Sequence, residues 1–140
     1  MKRRETAGYS GTPLPRKLGI KEGHRVAYLH APPDFDELMW PMPEGVTITR
    51  RAAGTLDVLI LFATRSADLR KRFIAAKKAL AYDGGLWLAY PKKASGVDTD
   101  IDFTVAQTLG LDAGLVDNKS CAIDETWSGL RFVYRLADRP

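Results

Sequence analysis

The sequence predicts an α/β domain, with a mostly parallel sheet that ends in a C-terminal antiparallel hairpin. Three observations carry that expectation. Asp57 to Ala63 (DVLILFA) is apolar without a break from Val58 onward, the pattern of a parallel strand covered on both faces. The next segment, Ser66 to about Ala81, repeats Leu69, Phe73, Ala76 and Leu80 at helical spacing, so one stripe is apolar and Arg70, Lys71, Lys77 and Lys78 are left to solvent. Finally, Leu115 to Ile123 and Leu130 to Leu136 are strand-like runs whose connection is too short for a helical crossover, so they should pair antiparallel.

The remaining elements follow in chain order. Residues 1–8 are polar and basic, with nothing to pack, and are expected to form a disordered tail ahead of one domain over residues 9–140. Thr12, Pro13 and Leu14 suggest a capped helix start, with Leu14 and Leu18 one turn apart and Gly19 able to close the turn. Arg25 to His30 (RVAYLH) reads as the first buried strand. A short link follows in which Phe35, Leu38 and Met39 form a helical turn before Pro41 and Pro43 stop it. Val46 to Arg50 is a second strand. Asp83-Gly84-Gly85 is expected to end the long helix and Leu86 to Tyr90 to be a fourth strand. After a polar loop, Thr99 with Asp102 makes a capping pair for a helix carrying Ile101, Val105 and Leu109 and ending at Gly110.

Composition narrows the function classes. Hydrophobic residues at 45% and charged residues at 27% are the balance of a globular protein, which argues against disorder of the whole chain. The lone Cys121 excludes an internal disulfide, and the first residues lack the apolar core of a signal peptide, so a cytoplasmic location is expected. No apolar run approaches the roughly 20 residues that span a bilayer, so no membrane partner is expected. The net charge of +4 is spread rather than gathered in one stripe with exposed aromatics, which favours solubility over a nucleic-acid role.

The turn after the first strand, Ala31-Pro32-Pro33, contains no glycine, and its two prolines remove two amide donors. Strand, helix, strand, helix and a closing antiparallel hairpin resemble the second half of the Rossmann-like methyltransferase fold. The segment Ala79 to Leu88, with its Gly84-Gly85 pair, looks like the place in those enzymes where a helix gives way to a strand. The resemblance implies a glycine-rich turn and an acidic ribose-holding residue, and this chain departs from both, having Thr49-Arg50-Arg51 at the end of the second strand. No cofactor is therefore expected, S-adenosylmethionine and NAD included. Separately, the blocks Tyr9 to Leu14, Lys17 to Ile20, Pro91 to Val97 and Gly114 to Arg135 resemble those of a small bacterial family classed as a domain of unknown function. That resemblance implies a bacterial source and no mechanism.

In open α/β sheets ligands collect beyond the carboxyl ends of the parallel strands. Arg65, Ser66, Lys92, Lys93 and Ser95 fall there, and a helix N-terminus beside several cations suits a phosphate or carboxylate. The plainer account makes Ser66 a cap and the lysines a solvated loop. His30 lies on the same edge near Asp34 and Asp36, either as a general base or as a neutral hydrogen-bonded histidine. His30, Asp124, Trp127 and Arg131 form a candidate recognition surface, although Trp127 folding under its loop and Asp124 accepting turn amides would explain those two structurally. No catalytic residue is assigned. With only two histidines and no metal-ligand spacing, a metal site is not expected.

The ordered fold without its usual cofactor chemistry points first to a non-catalytic regulatory or accessory domain that binds a partner protein or a small anionic ligand. The alternative is an enzyme acting on a small anionic substrate at the carboxyl edge with Lys92, Lys93 and His30. A weak nucleic-acid binder, using the basic tail and the Arg65 to Lys78 segment, is the third reading.

Overall fold

The structure, a computed structural model, describes residues 11–140; the expected tail over residues 1–8 lies outside them. Among the described residues the strands are β1 (Arg25–Leu29), β2 (Thr47–Thr49), β3 (Leu56–Phe62), β4 (Leu80–Pro91), β5 (Leu115–Ala122) and β6 (Trp127–Tyr134). They form one sheet in the order β2-β1-β3-β4-β6-β5. β1 pairs parallel with β2 and β3, and β3 pairs parallel with β4. β6 is inserted antiparallel between β4 and β5. The α/β class, the mostly parallel sheet and the closing hairpin are those the sequence predicts.

Alternation along the central strands divides the core between two faces. Leu59, Leu61, Leu86 and Leu88 meet Leu69 and Phe73 of helix α2 (Ser66–Ala79) and Ala106 and Leu109 of helix α3 (Phe103–Asp112). Val58, Ile60, Phe62 and Trp87 point the other way. There they are covered by Leu14 and Leu18, at helix α1 (Leu14–Lys17) and its cap, and by Phe35, Leu38 and Met39 around a 3-10 turn at Phe35–Leu38. With both faces covered, β3 has no need of polar alternation, which is why it is continuously apolar from Val58 to Phe62. The buried indole of Trp87 donates to the Leu18 carbonyl at 3.0 Å and ties α1 to the sheet.

Several local expectations are corrected. Gly84 and Gly85 do not end α2; the helix passes directly into β4 at Leu80, and both glycines lie inside the strand. A β-carbon at Gly84 would stand 2.6 Å from the Asp57 carbonyl oxygen, and one at Gly85 would stand 2.4 Å from Arg131 Nε. The pair serves close approach, not termination. Gly110 likewise lies within α3, where a β-carbon would meet the Phe132 ring at 2.0 Å, and the chain turns at Gly114 with φ +89°. Ser66 is the first residue of α2 and Arg65 holds the N-cap position, while Asp102 alone caps α3 by accepting from the Val105 amide at 2.9 Å. Among the described residues no helix is long and apolar enough to cross a membrane.

Candidate functional site

The parallel strands β1 to β4 deliver His30, Arg50, Ala63 and Lys92 to one edge of the sheet. The loop that follows β4 folds back across the end of β3. There the Thr99 hydroxyl donates to the Thr64 carbonyl at 2.6 Å, and Arg65 pairs with Asp98. Asp100 accepts from both the amide and the hydroxyl of Ser66, each at 2.7 Å. Those two bonds hold the Asp100 carboxyl below its ordinary range. The helix N-terminus that the sequence offered to an external anion is thus occupied by a carboxylate of the chain itself. The signal was the Asp98-Thr99-Asp100 run, where the sequence reading ends a polar loop at Asp98 and gives Thr99 to a helix cap with Asp102.

Lys92 and Lys93 meet different surroundings. The Lys92 amide donates to the Thr126 carbonyl at 2.8 Å, which fixes the strand end to the β5–β6 connection. The Ser95 hydroxyl donates to the Lys92 carbonyl at 2.6 Å and accepts from the Val97 amide at 3.2 Å, so it is used within the turn. Both lysines line a cleft of about 420 Å³ together with Tyr90, Asp102, Thr104 and Ser128. Neither ammonium has an ion pair or hydrogen bond among the described residues. Burial, and then the Asp102 carboxylate, push the Tyr90 phenol above its ordinary pKa, leaving its hydroxyl neutral.

The other candidates are dispersed. His30 lines a separate cleft of about 290 Å³ with Tyr28, Asp36 and Arg50, and burial followed by the nearby Arg72 cation holds its pKa below the ordinary value. Asp124 is buried, and its Oδ1 accepts from the Thr126 and Trp127 amides, both at 2.8 Å. The Trp127 ring stands edge-on to Phe62 with centroids 5.0 Å apart. Arg131 lies opposite Trp87 in the ladder, about 13 Å along β6 from Trp127, and its Nη1 donates to Asn118 at 3.3 Å. These residues are not gathered into one surface. Burial pushes the half-buried Cys121 thiol above its ordinary pKa. Among the described residues no group of three or more His, Cys, Asp and Glu stands close enough to hold a metal ion.

A sheet of this order with a closing antiparallel hairpin defines a Rossmann-like, methyltransferase-like fold, and solved structures of that class match the chain. Magnesium protoporphyrin IX methyltransferase from Synechocystis PCC 6803, with bound SAH, matches with a TM-score of 0.57 and 11% identity, over 81% of this chain and 75% of that one. Precorrin-6y C5,15-methyltransferase from Geobacter metallireducens GS-15 matches with a TM-score of 0.56 and 11% identity, over 87% and 86%. Aeropyrum pernix fibrillarin with bound S-adenosyl-L-methionine matches with a TM-score of 0.56 and 15% identity, over 90% and 70%. No family model matches the chain, and no curated protein matches it in sequence.

These neighbours overturn the first functional expectation, a non-catalytic regulatory or accessory domain. The fold is one that carries catalysis in the two methyltransferases above. The physical reason for the error is specific. A missing glycine-rich turn argues against one way of holding one cofactor; it does not argue against chemistry in the clefts along the same edge. The donor set itself does not fit S-adenosylmethionine. Pro32 and Pro33 have no amide hydrogen, and the residue beyond β2 is a cation, Arg50, already paired with Asp36 at 3.1 Å where ribose hydroxyls need an acceptor.

Proposed function

We propose that the chain is an enzyme acting on a small anionic substrate at the carboxyl edge of the sheet, with Lys92 and Lys93 as the substrate-binding cations. The observation that supports this reading is the cleft of about 420 Å³ in which two unpaired ammonium groups stand beside the hydroxyl-bearing residues Tyr90, Thr104 and Ser128. Two cations neutralise a phosphate or carboxylate, and neutral hydroxyls supply directional donors without adding charge. A volume of that size lies within the range of clefts that enclose small metabolites. Arg65 and Ser66 are engaged by Asp98 and Asp100, and Ser95 by its turn, so this reading places the substrate on the lysines.

The test is a thermal-shift screen of small phosphorylated and carboxylated compounds, followed by turnover assays on those that stabilise the protein. Inorganic phosphate, followed by amide chemical shifts, is the common probe. Shifts centred on residues 90–93, 102–104 and 128, lost in a Lys92→Ala/Lys93→Ala variant, are expected. Shifts elsewhere, or shifts that survive the double substitution, overturn the assignment.

A second reading, methyl transfer, is favoured by the neighbours solved with SAH or S-adenosyl-L-methionine bound. Calorimetric titration with S-adenosylmethionine separates the two. The proline turn and Arg50 predict no binding at micromolar concentration, where about 8 kcal/mol is required.

A further inference from the structure

The chain leaves β1 to one side to form β2 and returns on the other to form β3, so the connectivity reverses beside β1. Crevices at such reversals are where open α/β sheets bind ligands. The cleft of about 290 Å³ lined by Tyr28, His30, Pro32, Asp36 and Arg50 lies at the carboxyl end of β1, on its β2 side, next to that reversal. It contains an unmet requirement. Tyr28 is 1% exposed, and its hydroxyl has no hydrogen-bond partner among the described residues. Native interiors leave few polar groups in that condition, and each calls for a reason.

The surroundings say what the missing partner is. The Tyr28 ring is fixed edge-on to Phe35, with centroids 4.9 Å apart, and the Arg50 guanidinium sits 4.8 Å from the ring centroid. Burial and the nearby Asp36 carboxylate push the Tyr28 pKa far above its ordinary value, so the hydroxyl stays protonated and needs an acceptor. Arg50 is held on the other side by Asp36, its Nη2 donating to both carboxylate oxygens at 3.1 Å. Its Nε and Nη1 have no acceptor among the described residues, and the side chain is 55% exposed. One cation already balanced by one anion suits a singly charged group better than a phosphate dianion. Beside the polar groups, Ala31, Pro32 and Pro33 offer a smaller apolar surface with room for a small apolar body, and the volume is at or below the small end of ligand clefts. His30, at φ +59°, holds the turn in the left-handed region that side-chain-bearing residues rarely adopt.

We propose that this cleft binds a compact monocarboxylate with an apolar body, its carboxylate accepting from the Tyr28 hydroxyl and from the free donors of Arg50. This site is separate from the Lys92–Lys93 cleft and does not depend on it. It lies at the carboxyl ends of β1 and β2 with a donor set that does not suit S-adenosylmethionine.

The test uses benzoate as the probe and inorganic phosphate as the contrasting arm, each titrated into the full chain by NMR. Benzoate is expected to shift the amides of residues 28–36 and 50 saturably. Tyr28→Phe should weaken that binding about 10-fold or more, as loss of a hydrogen bond to a charged group does. The same variant should fold with unchanged or higher stability, because it removes an orphaned hydroxyl without changing ring packing. Lys92→Ala/Lys93→Ala should leave benzoate binding intact, so failure here is distinguishable from failure of the substrate cleft. No saturable shift in residues 28–36, undiminished binding by Tyr28→Phe, or a response to phosphate with none to benzoate would each overturn the proposal.

Discussion

At position 110 only a hydrogen fits, since a β-carbon there would stand 2.0 Å from the Phe132 ring. Alanine is the better helix former by about 1 kcal/mol, so propensity alone predicts a gain from Gly110→Ala. Packing decides against it. The ring is fully buried and stacked edge-on against Phe73, and overpacking of this kind costs about 1–3 kcal/mol. A lower denaturation midpoint is expected, and an unchanged one would mean that Phe132 has room to turn. Asp100 makes a different prediction. Its folded pKa lies below the ordinary carboxylate value, so its bonds to Ser66 contribute stability that is present above the ordinary value and is lost as pH falls through the lower folded one. The stability difference between the wild type and Asp100→Asn should be constant from about pH 5 to 7 and shrink below about pH 4. A difference that grows on acidification would contradict the sign. None of this was legible locally, because Asp100 and Gly110 are each decided by a residue distant in sequence.

Elements were more legible than residues, and the reason is periodicity. β3 and α2 announce themselves because burial on both faces of a strand, or on one stripe of a helix, imposes a pattern that any window of the sequence contains. Gly84-Gly85 misled because the local signal for ending a helix is the same as the signal for close approach inside a strand. Only Asp57 and Arg131 tell them apart. The hairpin was readable from the length of its connection, and its last strand carries the next prediction. Phe132 faces Leu86 across the β4–β6 ladder and belongs to the core shared with α2 and α3. Phe132→Ala should cost about 3–5 kcal/mol. A midpoint close to wild type would mean that the β5–β6 hairpin is peripheral to the fold.

The carboxyl edge could be located from the fold class, because strand direction alone sets it, but its chemistry could not. Which cations remain free depends on the path of the loop after β4, and that path delivers Asp98 and Asp100 to Arg65 and Ser66 while leaving Lys92 and Lys93 without an ion pair among the described residues. The cleft at Tyr28 was missed for a related reason: a tyrosine inside a strand reads as core, and only the lack of a partner for its hydroxyl marks it.

At the same scale, the two faces of the sheet meet through strands that both depend on. Leu59, Ile60 and Leu61 in β3 are fully buried and alternate between the faces, whereas β2 is short, exposed and paired on one side only. Hydrogen exchange should therefore be slowest in β3 and the paired centre of β4, by global unfolding, and fast in β2, by local opening. Removing Leu18, fully buried beneath Trp87 on the face away from α2 and α3, tests whether the faces act as one unit. Leu18→Ala should lower the protection of the β3 amides and of α3 by the same free energy, about 2–5 kcal/mol, with one unfolding transition retained. Protection lost in α1 alone, with β3 unchanged, would show that the small face is an appendage rather than half of a shared core.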